Sequence, residues 1–509
     1  MAVSFSQIPP NYKLPGVSIE VDPSQAGTPV NQRFGLLAGH PTSAGTAPAN
    51  IPIAVGTQAN ADALFGPGSM LAEMFRVWFA LNKTTPLFAV PVPEPAAGVA
   101  ATGTITATSA PSVAGTVYLY IAGLVVPVAI GSSDTTANVA TKIAAAVNGA
   151  TRLPVTAVAA SNVVTLTAKW KGVTSNDIRI EDSVLGFYGG QFLPAGLALT
   201  YPANNVLSGG TGTPDFTAAI ANIGDVAYKF LALPHTDSGS LALWAGEYGF
   251  GDGGRWGPFR QSYGQIWCAR RDTYSGHITW GPGNNYPVIS CLAVEPQSPS
   301  PMWVWSAAYA SRAAQALSAD PARPLQTLTM DPVLPAPRAF RFNKTQLNAL
   351  AQNGLAIQGT DVDGTGTNVP QILREQTTYQ RNTLGQADNA YELATTLSTL
   401  DEVFTRVRLT ISSKYPRHKL ANDGTRYGAG QAIVTPKTIK GEIISILRAL
   451  EFEGIVENVE GSKAILVVER SSTDANTVEV LFPPDLINQL RRVNVLAQFR
   501  LQIPIGIAA

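Results

Sequence analysis

Histidine and cysteine are close to missing from this chain, with four and two in 509 residues. His40, His235, His277 and His418 are scattered, and none stands in an HExxH or HxxxH spacing, so no zinc-hydrolase motif is present and nothing supports a Ser/His/Asp triad. Cys268 and Cys291 fall outside any CxxC arrangement, which argues against a disulfide framework or a cysteine-based zinc site and makes a reducing cytoplasm the simplest compartment. There is no GxxxxGK phosphate loop. An excess of charge of either sign is missing too: 35 basic and 35 acidic side chains cancel, leaving no global field to steer the protein towards nucleic acid or an anionic membrane. The same neutrality gives little protection against self-association. The longest apolar stretch, 117–130, is broken by Gly123 and Pro127 and is too short to span a bilayer, so it reads as a hairpin or a pair of strands. Residues 1–16 lack the basic start and apolar core of a signal peptide.

The remaining ligand-like strings are weak. In Asp361-Val362-Asp363-Gly364-Thr365-Gly366 the order of Asp361, Asp363, Thr365 and Gly366 resembles the start of a calcium loop, but Ile372 stands where a bidentate glutamate is needed, and a solvated turn is expected. Gly209-Gly210-Thr211-Gly212 and the glycines of 249–257 read as loops, the latter amid Tyr248, Phe250 and Trp256. Two basic clusters, Arg491-Arg492 and Lys414-Tyr415-Pro416-Arg417-His418-Lys419, read as solvated helix ends, and the second is the better surface for docking an acidic protein.

What the chain has in abundance is alanine, glycine, threonine and proline, which favour short strands and many turns. Its length exceeds what one hydrophobic core serves, so several domains are expected. The fold class expected is α+β multidomain. Residues 25–95 and 206–333 form an αβ middle domain with buried strands at 34–39, 51–56, 87–92 and 230–234 and helices at 69–81, 216–223 and 306–317. Ser69 caps the first of these helices, and Leu71, Met74, Phe75, Trp78 and Leu81 recur at helical spacing along it. Turn-rich loops are expected at 249–258 and 281–285. Residues 96–205, poor in charge, form an inserted β-rich domain with strands at 104–108, 116–121, 155–159 and 163–168 and one helix at 136–148. A further unit, 334–492, follows the proline-rich 331–337 linker. Leu393, Leu397, Leu400, Phe404, Val407 and Ile411 make the seam of one long helix in it, and 437–450 is a second helix, stopped at Gly454. Strands are expected at 455–459, 464–469 and 477–482, the first two joined by a Gly461-Ser462 hairpin turn.

Both ends carry an amphipathic strand. Val17, Ile19 and Val21 alternate with Ser18, Glu20 and Asp22 in the 1–24 arm, isolated by Pro9, Pro10, Pro15, Pro23 and Pro29. Val495, Ala497, Phe499, Leu501 and Ile503 alternate with Leu496, Gln498, Arg500 and Gln502 in the 493–509 arm. A terminal strand usually completes its own domain's sheet; a strand at each end, one fenced off by prolines, suits addition to a sheet in another chain.

The residues at 14–20, 34–39, 413–420, 480–490 and 495–501 resemble those of tail sheath proteins from Mu-like contractile-tailed bacteriophages. The resemblance covers both ends and the domain order, and the β-rich insertion is the part without a match. It implies a sheath architecture: a helical sleeve of self-associating subunits around a tail tube, the 334–492 domain facing the tube and the insertion facing solvent. Val17, Ile19, Val21, Val495, Ala497, Phe499, Leu501 and Ile503 would then lie in strands donated to neighbouring copies, with Lys414, Arg417 and Lys419 as tube-docking candidates. The implied partners are further copies of the chain, the tail tube protein, and baseplate and tail terminator proteins. No nucleic acid, membrane insertion, cofactor, metal or catalysis is implied. The implied location is the virion tail, assembled in the bacterial cytoplasm, with contraction driving the tube through the host envelope. Two other readings stay open: a cytoplasmic enzyme with a small-molecule site in the glycine-rich loops of 249–285, and a non-contractile virion surface protein, which the insertion suits and the two arms do not.

Overall fold

The computed structural model describes residues 15–16, 33–360, 368–428, 430–499 and 501. The chain begins its first sheet with β1 (Phe34–Gly39) and β2 (Ile53–Ala54), continues through α1 (Gln58–Phe65) and α2 (Met70–Leu81), and returns in β3 (Leu87–Pro91). The Ser69 hydroxyl accepts the Ala72 N–H at 3.0 Å as the N-cap of α2, and Leu71, Met74, Phe75 and Trp78 of that helix are fully buried.

An excursion follows: β4 (Thr102–Ser109), β5 (Gly115–Ile121), β6 (Leu124–Ile130), α3 (Thr136–Gly149), β7 (Val155–Ala160), β8 (Val163–Ala168), β9 (Ile180–Asp182) and β10 (Ala198–Thr200). The expected hairpin at 117–130 is β5–β6, turned at Ala122-Gly123, where both residues have positive φ as a two-residue primed turn requires. These strands form one sheet in the order β10-β4-β8-β7 and another in the order β6-β5-β9. Ile105, Val117, Leu119, Val128, Ile143, Val164 and Leu166 fill the space between them and α3.

The chain then rejoins the first sheet through α4 (Thr217–Ile223), β11 (Tyr228–Ala232), α5 (Ser238–Glu247), β12 (Gln265–Arg271), α6 (Tyr274–Trp280), β13 (Ile289–Val294) and α7 (Met302–Ala319). The completed sheet runs β13-β12-β11-β1-β3-β2, parallel throughout except for β2. Both of its faces are covered, which is why its strands read as unbroken apolar runs. Leu37, Ala89, Phe230, Trp267 and Leu292 face α2 and α7; Leu36, Val90, Leu231, Ile266 and Cys291 face the side of α4 and α5. Cys268 and Cys291, distant in sequence, are direct register partners on β12 and β13, both buried and both free.

The last part of the chain contains α8 (Lys344–Gln352), the pair β14 (Ile357–Gly359) and β15 (Gln371–Arg374), α9 (Ala394–Lys414), the pair β16 (Lys419–Leu420) and β17 (Ile433–Val434), α10 (Pro436–Phe452), α11 (Val459–Ile465), and the hairpin β18 (Val467–Arg470) and β19 (Val478–Leu481). The long helix forms as its spacing predicts and joins two cores: Leu397 packs under the parallel sheet, Val403 against Ile443, Leu447 and Leu450 of α10. A buried ion pair fixes this crossing, Lys229 Nζ of β11 lying 2.7 Å from Asp401 Oδ1 of α9. The expected strand pair at 455–469 does not form. Gly461-Ser462 is not a hairpin turn but the interior of α11: Asn458, in the left-handed region at φ 53°, accepts the Gly461 N–H at 3.2 Å, and Glu451 Oε1 accepts the Val459 N–H at 3.0 Å. Once these two acceptors hold the first turn, the apolar Val459 and the small Ser462 bury inward, and the strand pair forms one step later as β18–β19. The 455–459 stretch contributes only a single bridge, Val456 to Leu486.

Candidate assembly surfaces

From β19 onward the chain is irregular but pinned. Ile487 N–H donates to the Ile455 carbonyl at 3.2 Å and Gln489 Nε2 donates to the Ala322 carbonyl at 2.5 Å. Arg491 then forms a two-pronged ion pair with Glu375, whose carboxylate is wholly buried. The sequence reading of Arg491-Arg492 as a solvated helix end is corrected here: no helix lies among the described residues after Ile465, and Arg491 is an anchor. Beyond it the described residues are exposed. Val495 is 81% exposed, Phe499 87% and Leu501 98%, and Val493, Leu496 and Ala497 are exposed as well. None of the described residues from 490 to 499 belongs to a strand. Ile503, like Val17, Ile19 and Val21, lies outside the described residues.

The last sheet before this segment in the chain is a two-stranded one. The β18–β19 hairpin pairs Val467 with Leu481 and Val468 with Val480, has no third strand among the described residues, and leaves Val467, Val480 and Leu481 exposed. An open-edged, apolar two-stranded ribbon is marginal by itself and a template for added strands.

The basic cluster follows α9. Lys414 Nζ sits 2.5 Å from Glu442 Oε1 on α10, an interaction that raises the lysine's pKa, and Tyr415 donates to the same carboxylate at 3.1 Å. Arg417 and Lys419 are exposed, and Lys419 joins β16, whose partner is β17. Within the cluster, Arg417 and Lys419 are thus exposed, while Lys414 is engaged in holding α9 to α10.

The glycine-rich loop at 249–258 is occupied by structural tasks. Fully buried Arg255 bonds Glu247 Oε1 at 2.8 Å and the carbonyls of Val226 and Gly224 at 2.6 and 2.7 Å, and Trp256 Nε1 donates to the Gly264 carbonyl at 2.8 Å. Residues 361–367, with the calcium-like string, lie outside the described residues. No group of three metal-ligating side chains occurs among the described residues, and none of their helices is long and apolar enough to cross a membrane. Two relationships were hidden from sequence reading, Arg491 with Glu375 and a buried contact between His40 and His235. The only trace of the second is that each histidine closely follows a buried apolar run.

Comparison with known proteins bears on these surfaces. Residues 209–369 match the phage tail sheath protein central domain, and residues 386–500 match the phage tail sheath C-terminal domain. A Mu-like prophage FluMu tail sheath protein from Haemophilus influenzae is 37% identical over 493 residues, covering 96% of this chain and 98% of that protein. Among solved structures, the sheath tail protein from Desulfitobacterium hafniense is 12% identical with a TM-score of 0.44, covering 93% of this chain and 100% of its own. The helical sheath of the anti-feeding prophage in its contracted state is 9% identical with a TM-score of 0.45, covering 96% and 100%. With a relative aligned along nearly the whole of both sequences, and the central and C-terminal sheath domains in order, this chain belongs to the phage tail sheath family and is a structural protein of the tail.

Proposed function

We propose that the chain is the repeating subunit of a contractile sleeve, polymerising helically around a tail tube, with neighbours joined by strands donated from both termini. The observation that carries this reading is the combination found in the carboxyl-terminal part: an apolar segment anchored at Arg491 and exposed over the described residues beyond it, and a two-stranded ribbon with no third strand among the described residues. A segment pairing with such an edge in another copy gains main-chain hydrogen bonds, and its alternating side chains set the register. One arm is a weak tether; an already anchored subunit makes its second contact at high effective concentration, so a lattice of arms is strong. A head-to-tail contact that does not close gives a helix and not a ring.

In this arrangement residues 334–492 face the tube, with Arg417 and Lys419 on an acidic tube surface, and residues 96–205 face solvent. Baseplate and terminator proteins bound the sleeve at its two ends, and assembly precedes release from the bacterial cytoplasm. Contraction slides the globular parts while strand pairing persists. Electron microscopy of purified full-length protein should reveal long hollow sleeves, and removal of residues before Pro23 or of 493–509 should leave folded subunits without sleeves. A full-length protein that remains monomeric at high concentration overturns the reading.

A further inference from the structure

Numbered by their order in the chain, the five parallel strands lie 5-4-3-1-2 across the sheet, so β1 and β11 are neighbours whose onward connections diverge. At such a switch point parallel α/β folds leave a crevice beyond the carboxyl ends of the two strands. Here His40, directly after β1, and His235, shortly after β11, occupy it, both buried, with their rings perpendicular and 5.1 Å apart. The hydrogen-bonding fixes their tautomers. His40 Nδ1 is 2.9 Å from the Val92 carbonyl, which can only accept, so Nδ1 carries the proton and Nε2 presents a lone pair. His235 Nε2, 3.3 Å from His40 Nε2, must therefore be the donor, and His235 Nδ1 is left as a buried acceptor with no partner.

This chain of bonds ties down both crossings between the parallel sheet and the excursion. Val92 is where the chain leaves the sheet after β3, and Phe216, whose ring meets His235 edge-on at 5.2 Å, is where it returns into α4. We propose that the His40–His235 pair is an acid-sensitive latch: while both imidazoles are neutral it holds the two crossings against the sheet, and protonation of either releases them. A proton on His40 Nε2 would set two N–H donors against each other at 3.3 Å; a proton on His235 Nδ1 would create a buried cation with no acceptor. Neither carboxylate near the pair bonds an imidazole: Glu94 faces His40 without a hydrogen bond to it, and Asp237 accepts the Ser240 N–H on Oδ1 while its buried Oδ2 makes no hydrogen bond. Arg271 is paired with Asp177 at 2.6 Å, and Arg270 with Asp272 at 2.6 Å. Burial accordingly holds both histidines below the ordinary range. A cavity of about 320 Å³ bordered by His235, Thr236, Asp237, Arg270 and the excursion's Thr174 and Asp177 lies beside the pair, between the sheet's carboxyl edge and the excursion.

Linkage sets the size of the effect. A histidine kept neutral when closed and titrating near 6.5 when open raises the opening equilibrium roughly thirtyfold between pH 7.5 and 5.0, and two raise it about a thousandfold. Hydrogen exchange of the full-length protein at the two pH values, corrected for intrinsic exchange, should show opening rise towards a thousandfold in 87–101 and 206–216, with β12 and β13 less affected. His40→Gln or His235→Gln should reduce the rise to about thirtyfold. Equal pH responses in wild type and both variants, or a uniform response across the sheet, overturns the latch. Should a variant fail to fold, nitrogen-15 spectra of histidine-labelled wild type decide: Nδ1–H on His40 and Nε2–H on His235 at neutral pH support it, and either ring titrating near 6.5 without loss of protection overturns it.

Discussion

Arg491 reaches back 116 positions to Glu375, its Nη1 3.1 Å from Oε2 and its Nη2 on Oε1, closing a pair in which the carboxylate sees no solvent. The contact marks the end of the attached chain and the beginning of the exposed one. An arm that transmits force to its own subunit must do so through such an anchor.

Replacing Arg491 by leucine leaves Glu375 buried and uncompensated. Loss of one member of a buried ion pair costs about 3–5 kcal/mol. Urea denaturation of the Arg491→Leu variant should register that loss, and Glu375→Gln added to it should recover part. A change within about 0.5 kcal/mol, the range of ordinary surface substitutions, means the arm is not held here.

Gly35 makes a different kind of contact. A Cβ at this position of β1 would stand 2.6 Å from Cζ2 of Trp78 and 2.9 Å from Cδ1 of Leu87, so the indole can approach the strand this closely only because the side chain is missing. Gly35→Ala should destabilise by about 1–3 kcal/mol through overpacking. Thermal unfolding measures it, with Gly246→Ala, where nothing lies within 4 Å, as the control.

Such contacts explain what sequence could and could not convey. The parallel sheet's strands were partly legible: the runs at 34–39, 87–92 and 230–234 stand out because burial on both faces removes polar alternation, and α2 and α9 declare themselves by helical spacing. β12 is not legible as a buried strand, because Trp267-Cys268-Ala269-Arg270-Arg271 mixes a buried start with charged residues that pair at the carboxyl end. Gly461-Ser462 misled because the caps supplied by Asn458 and Glu451 are local side-chain chemistry that a turn-like pair of residues conceals. The exposed apolar segment after Arg491 was visible as a period-two pattern, but its anchor was not, since Glu375 is meaningful only once the fold brings it near.

His277 predicts a pH dependence with a definite sign. It is buried in α6 with Nε2 3.1 Å from the Val294 carbonyl, and burial lowers its pKa to about 4. Unfolded, it titrates near 6.5, so between these values the unfolded state binds the extra proton. Its contribution is complete above about pH 6.5 and is lost as pH falls towards 4, amounting to roughly 3 kcal/mol at most. Denaturation midpoints of wild type and His277→Gln, followed from pH 7.5 to 4.5, should converge as the medium becomes acidic. Parallel curves would mean that His277 does not titrate in this window.

The carboxyl-terminal arm gives the sharpest separation between two roles for the same residues. Val495, Phe499 and Leu501 are almost wholly exposed in the single subunit, so replacing them by glutamate removes little packing there and should leave the unfolding free energy unchanged within about 0.5 kcal/mol. In a sheet shared with a neighbour the same positions lose solvent, and three carboxylates would each carry a desolvation cost with no partner to offset it. The triple variant Val495→Glu, Phe499→Glu, Leu501→Glu should therefore be a stable monomer that forms no sleeves under conditions where wild type does, judged by sedimentation and negative-stain images. Arg417→Glu, outside the arm, should still polymerise alone but lose its hold on an acidic tube. If the triple variant is instead destabilised by several kcal/mol as a monomer, the strand pairs within its own chain, and donation from this end is wrong whatever the amino-terminal arm does.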